Sequence, residues 1–195
     1  MGHILVLYFS AGGKTKQLAE LIARGAESKG VEAIIRTVPR VSTTIESTAP
    51  SVPTDGDCYV TISELEECIG LAVGSPTRFG NMAAPLKYFI DQTSNTWMNG
   101  KLTNKPVSFF TSSSSLHGGQ ESTLLTMMIP FLHHGMLVSG IPYSETELLR
   151  TKTGATPYGV SHWDGEQNAN ALSDSEKQLA LAQGKRLAEL ATKLI

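Results

Sequence analysis

The stretch HILVLYFSAGGKT, residues 3–15, decides how this chain is read. An apolar run ends at Phe9, glycines and hydroxyl residues follow, and a helical pattern then sets Leu18, Leu21, Ile22 and Ala26 on one face. Gly30 suits the end of that helix. Strand, glycine-rich turn and helix in this order form a loop able to hold phosphate. A nucleoside-triphosphate loop is ruled out by spacing: G-x-x-x-x-G-K-[ST] ending on Gly13-Lys14-Thr15 needs glycine at position 8, where Tyr8 stands. The run IGLAVGSPT (69–77) also lacks an acidic residue to hold magnesium.

Working outward, β-branched and apolar segments recur at 3–9, 31–38, 69–74, 106–111 and 136–141, with helical patterns between them. Five strands alternating with helices predict an α/β open sandwich, a mostly parallel sheet covered on both faces. At 195 residues the expectation is one domain over 1–195. The last helix is predicted from about Asp174 to Leu194, opened by the capping box Ser173-x-x-Glu176, with Leu179, Ala182, Leu187, Leu190 and Leu194 as its apolar stripe. Two connections are long. Residues 39–62 are rich in Pro, Ser and Thr and predict a mobile surface excursion with a turn at Asp55-Gly56-Asp57. Residues 142–172 carry few helix signals, and a connection of that length implies a function or an interface.

Composition narrows the class. The formal net charge is −2, which leaves no electrostatic footprint for nucleic acid. No apolar run approaches the length of a membrane span, and the N-terminus shows no signal-peptide pattern, so no membrane partner and a cytoplasmic location are expected. Cys58 and Cys68 form no zinc or redox motif and read as plain thiols. His133 and His134, adjacent on a helix, point about 100° apart and cannot share one metal ion, so no metal site is expected.

In an open α/β sheet, ligands bind beyond the carboxyl ends of the strands. The loops there are SAGGKT, SPTRFGNM and SSSSLHGGQE. In the first, Gly12 and Gly13 permit the positive φ of a backbone nest, and Ser10 and Thr15 add hydroxyls. Lys14 sits where a helix dipole disfavours a cation; it either faces an anion or stands as a solvated lysine. The other two loops offer hydroxyls and glycines for the polar edge of a flat ring, and Phe79 and Trp97 could cover its faces. Such a site would suit a flavin. Each loop alone also reads as an ordinary turn.

The pieces ILVLYFS, GSPTRFGNM, FIDQT, HGGQE, HHGM and TPYG, in this order and spacing, make the chain resemble the WrbA-type NAD(P)H:quinone oxidoreductases of the flavodoxin-like fold, over nearly its whole length. The resemblance implies a five-stranded parallel sheet of order 2-1-3-4-5 and one FMN per subunit. NADH or NADPH would be the co-substrate and a quinone the acceptor. It implies a homotetramer with pockets shared between subunits. Carried over residue by residue, Ser10, Ala11, Gly12, Gly13, Lys14 and Thr15 would hold the FMN phosphate. Pro76, Thr77, Arg78, Phe79 and Gly80 would line the ring system, as would Ser112, Ser113, Ser114, Ser115, Leu116, His117 and Gly118. His133 would lie at the pyrimidine end of the flavin, and Trp97 would wall the open face. Members of the family often have an aromatic residue and a histidine where this chain has Gly12 and Lys14.

The cycle this implies is ping-pong: the nicotinamide gives a hydride to the flavin N5 and leaves, and the quinone takes its place. His133 would act as a donor to negative charge near N1; otherwise it is a histidine interacting with the carbonyls of a helix C-terminus. Trp97 otherwise packs. The alternative functions are a flavodoxin-type electron carrier, disfavoured by the small net charge, and a flavin-binding regulatory or scaffold protein.

Overall fold

The computed structural model describes residues 2–41, 53 and 55–194. Its strands are β1 (Ile4–Tyr8), β2 (Ala33–Thr37), β3 (Gly70–Arg78), β4 (Asn81–Met82), β5 (Pro106–Ser113), β6 (Leu137–Val138) and β7 (Val160–Trp163). Its helices are α1 (Lys14–Glu27), α2 (Ile62–Glu67), α3 (Ala84–Asp91), α4 (Ser94–Met98), α5 (Gln120–His133), α6 (Glu147–Arg150) and α7 (Asp174–Leu194).

The long strands pair in parallel in the order β2-β1-β3-β5, matching the first four positions of the order that the resemblance implies. The fifth position is shared. β6 pairs with Pro106 and Val107 at the start of β5, and β7 pairs with Phe110 to Ser113 at its end. The predicted strand 136–141 thus forms only its first part. Ile141 N–H donates to Pro157 O (3.0 Å) rather than to the sheet, and Pro142 has no N–H to offer. The chain leaves here and returns at Val160, so half of the long 142–172 connection is an excursion between two pieces of one strand position.

Two apolar layers cover the sheet. On one face Val6, Ala72 and Phe110 pack with Leu18, Ile22, Leu179 and Leu187 from α1 and α7. On the other, Leu5, Leu7, Val73 and Phe109 pack with Leu86, Leu124, Met127 and Phe131 from α3 and α5. Alternate residues of each strand face opposite layers, which is why these segments are apolar throughout.

The capping box at α7 forms: Ser173 N–H reaches Glu176 Oε2 (2.7 Å), and Glu176 N–H reaches Ser173 Oγ (3.3 Å). The stripe of α7 is rotated from the predicted one. Glu176, Leu179, Ala180, Gln183, Gly184, Leu187, Ala188 and Ala191 are buried, while Leu194 is exposed and Ala182 and Leu190 are half-buried. In the first excursion, Gly56 adopts φ 92° at the expected turn; residues 42–52 and 54 lie outside the described residues. Both cysteines are free thiols, and burial pushes Cys68 up to about 11. Among the described residues no helix is long and apolar enough to cross a membrane.

Candidate functional site

β1, β3 and β5 run parallel, so the loops that follow them share one edge. The structure brings all three together there. Thr15, buried in the first turn of α1, meets Ser112 at the end of β5, hydroxyl to hydroxyl at 3.1 Å. Thr77 Oγ1 lies 3.3 Å from Gly118 O and 2.7 Å from Thr123 Oγ1. A Cβ on Gly119 would stand 2.9 Å from Gly80 Cα, so the loops after β3 and β5 meet backbone to backbone.

The first loop is closed by Gly13 N–H donating to Ser10 Oγ (3.0 Å). Of its two glycines only Gly13 takes a positive φ, 84°, and open space lies where its Cβ would be. Gly13 caps α1 without a side-chain hydrogen bond, and no acidic residue occupies the first turn. The N–H groups of a 14-residue helix are therefore offered to whatever sits at the loop. Lys14 is not simply solvated. Its Nζ donates to Asn170 O at 2.6 Å, so it is tied to the segment after β7.

In the second loop β3 turns back on itself. Thr77 pairs with Met82 and Arg78 with Asn81, leaving Phe79 and Gly80 as a two-residue hairpin turn with φ of 53° and 75°. Both signs are positive, as a type I′ turn requires. A bulky residue is uncommon there, and the Phe79 ring is fully exposed. Arg78 Nη1 donates to Thr77 O, and Pro76 is buried within β3 opposite Ser112. In the third loop Ser112 and Ser113 are buried, whereas Ser114, Ser115, Leu116 and His117 are exposed. Gln120, which sequence reasoning passed over, donates through Nε2 to Ser113 Oγ (2.9 Å) and accepts from Ser161 Oγ, fixing the loop to β7.

His133 and Trp97 are elsewhere. α5 leaves the third loop and runs antiparallel to β5, and its 14 residues carry His133 about 20 Å to the opposite edge of the sheet. There Asn104 N–H bonds Gly135 O, just ahead of β5. The expectation that His133 joins the loops therefore fails within one chain, because a helix crossing the sheet separates its two ends. Trp97 accompanies it: its Nε1 donates to His133 O at 2.8 Å. Both line a cleft of about 450 Å³ with Lys87, Ile129 and Pro130. The neighbouring His134 bonds Thr93 (2.9 Å), and its burial, then the charge of His133, lowers its pKa.

Three adjoining loops at the carboxyl edge of a β2-β1-β3-β5 parallel sheet, one of them a glycine turn opening a helix, define a flavodoxin-like protein. Solved structures agree on the fold. The WrbA-like flavodoxin protein of Agrobacterium tumefaciens superposes with a TM-score of 0.67 at 22% identity, covering all of both chains. An archaeal flavodoxin gives 0.64 at 21% identity over 97% of this chain and 99% of its own. In sequence, residues 3–146 match the family described as NADPH-dependent FMN reductase. A protein of Rhizobium rhizogenes named NAD(P)H dehydrogenase (quinone) is 38% identical, with all of both chains covered. One of the same name from Sinorhizobium fredii is 39% identical over all of this chain and 99% of its own. The chain belongs to the family described as NADPH-dependent FMN reductase, and along its full length it is similar to proteins named NAD(P)H dehydrogenase (quinone).

Proposed function

We propose that the protein is a cytoplasmic, single-domain enzyme that reduces quinones by two electrons at the expense of NADH or NADPH, using one FMN per subunit. The relatives named NAD(P)H dehydrogenase (quinone), aligned along the full chain, carry this reading. The residues present fit the cofactor. The uncapped, acid-free start of α1 and the open space at Gly13 suit a phosphate, and the exposed ring of Phe79 suits the face of a flat heterocycle.

FMN held there would supply the redox chemistry that carries two electrons from the dinucleotide to the quinone. The chain does the positioning. Backbone N–H groups at the start of α1, with Ser10 and Thr15, bind the phosphate, and Lys14 is held beside them by Asn170. Thr77, Arg78 and Phe79 would line the ring system, and N–H groups of the exposed Ser114 to His117 would meet its polar edge. Phe79 and Leu116 exclude water there. Dinucleotide and quinone occupy the same place in turn, which makes the kinetics ping-pong.

Trp97 and His133 reach this place from a second copy of the chain. Their end of the molecule carries an apolar face of Tyr88, Met98, Leu125, Ile129 and Leu132, all exposed in a single chain. A homotetramer covering that face would bring the indole and the imidazole to a neighbour's loops. The Trp97 indole, fixed by its bond to His133 O, would wall the pocket, and the His133 imidazole would offer a hydrogen-bond donor toward the bound ring.

FMN-loaded protein is expected to oxidise NADH or NADPH rapidly only when benzoquinone is present, and to draw parallel lines in double-reciprocal plots when both substrates are varied. Tight FMN binding without quinone-dependent oxidation of either dinucleotide would sink the reading.

A further inference from the structure

One buried charged cluster lies outside the three loops. Glu176, at the start of α7, and His162, on β7, are 0% and 1% exposed. Glu176 accepts N–H groups from Gly154 (2.9 Å) and Ser173 (2.7 Å), and its Oε2 lies 3.0 Å from His162 Nδ1. A carboxylate at that distance makes Nδ1 the donor and fixes the ring's tautomer on that side. The other nitrogen, Nε2, faces Asp164 Oδ1 at 3.5 Å. Both atoms are buried, and neither has a hydrogen-bond partner among the described residues. With Nε2 bare and Asp164 ionised, two lone pairs would face each other away from water, which is unfavourable. One proton between them removes the conflict. Burial raises the pKa of Asp164, with His162 and Lys14 pulling it down and Glu176 pushing it further up.

The residues following His162 touch both sides of the site. Trp163 Nε1 donates to Ser114 O (3.2 Å), and Asp164 N–H donates to Ser113 O (2.7 Å). Asn170 N–H donates to Asp164 O (2.9 Å), and Asn170 O receives Lys14 Nζ. One short segment thus links the loop after β5 to the loop after β1. A cavity of about 330 Å³ lined by Thr153, His162, Asn170 and Glu176 adjoins it, so on this side hydrogen bonds rather than close packing hold the segment.

We propose that His162, sharing one proton with Asp164 while bonded to Glu176, is a positioning residue that latches Trp163–Asn170 as a clasp across the loops Ser10–Thr15 and Ser113–Gly118. The clasp keeps the two loops at the spacing the cofactor needs, an inference that rests on the FMN reading above. The groups facing the latch are Glu176 from α7, Asp164 from the segment itself and Lys14 from α1. Burial holds the Asp164 carboxyl above its ordinary range, so the shared proton survives to higher pH than on a free aspartate and is lost as pH rises through that raised value, where the clasp loosens.

Two measurements test this. The first is a ¹⁵N spectrum of His162 in the flavin-free protein: a protonated or strongly hydrogen-bonded Nε2 supports the bridge, and a bare, unbonded Nε2 overturns it. The second is the Kd for FMN, read from flavin fluorescence across a series from about pH 5 to about pH 9. His162→Gln leaves a buried carboxylate unpaired and is expected to raise the Kd about tenfold or more. Asp164→Asn, whose amide donates to Nε2 without a shared proton, is expected to flatten the weakening with rising pH that the wild type should show. The phosphate's own ionisation cancels in that comparison. A wild-type Kd in His162→Gln, or equal pH profiles in wild type and Asp164→Asn, would overturn the proposal. Should His162→Gln fail to fold, the spectrum and the Asp164→Asn profile still decide. If wild-type protein binds no FMN, the cofactor reading fails, and the spectrum alone judges the bridge.

Discussion

Phe79 holds φ at 53° with its ring wholly in solvent, so nothing in the single chain compensates for the conformation. A non-glycine residue in the left-handed region costs on the order of 1 kcal/mol. Such strain at an exposed aromatic is readily understood if the ring's partner is a ligand. Phe79→Gly tests this in both directions. The flavin-free variant should unfold at a higher urea concentration, a gain of on the order of 1 kcal/mol tempered by the flexibility of glycine in the unfolded chain. Its affinity for FMN should fall. A gain in stability with unchanged affinity would show that the ring covers no cofactor. His162 illustrates the other kind of residue-scale result. Its neighbours in sequence, Ser161 and Asp164, are polar, and nothing in VSHWDG announces that four of these residues form a buried strand. They are buried because Gln120 and Glu176, distant in the chain, satisfy them.

At the scale of elements, α1 and α7 cross at two glycines. A Cβ on Gly184 would stand 1.9 Å from Ile22 O, and one on Gly25 would stand 2.2 Å from Leu181 O. Backbone meets backbone there, and neither carbonyl can swing aside as a side chain can. Gly184→Ala should therefore push the helices apart and destabilise the protein by about 2 to 3 kcal/mol in chemical denaturation. Because α1 also presents the loop proposed to hold the phosphate, the same variant should weaken FMN binding; a loss of stability below about 0.5 kcal/mol would mean that the helices slide without penalty. The crossing explains the rotated stripe of α7. Periodicity of large apolar residues favours Leu190 and Leu194, but contact with α1 is made by small residues, Ala180, Gly184, Ala188 and Ala191, which hydropathy ranks poorly. Strands β1, β3 and β5 were legible because a parallel strand buried on both faces is apolar along its length, and the half-buried edge strand β2 was legible from its run Ala33-Ile34-Ile35. The three loops were legible from their glycines and hydroxyls. The split fifth strand and the segment after β7 were not, since their burial depends on pairings made only in the folded chain.

For the whole molecule, the two ends of α5 pose one question. The loops lie at one edge of the sheet, Trp97 and His133 at the other, and a single chain cannot bring them together. If both serve one pocket, it is built from two chains, and the exposed row of Leu125, Ile129 and Leu132 is where they meet. Subunit complementation distinguishes this from a pocket made within one chain. Gly13→Val spoils the phosphate loop by forcing a β-branched residue into a φ of 84°, and leaves Trp97 and His133 intact. A Trp97→Ala, His133→Ala double variant leaves the loops intact. Each alone should be inactive in quinone-dependent oxidation of NADH or NADPH. Co-expressed and randomly assembled, about one quarter of the pockets would combine intact loops with an intact wall, and activity should return to roughly that fraction of wild type. Were the pocket confined to one chain, no mixture could restore it, because every chain would carry a defect of its own. Mixing the purified variants without exchange of subunits should give nothing in either case, which makes recovery on co-expression a direct reading of a shared site.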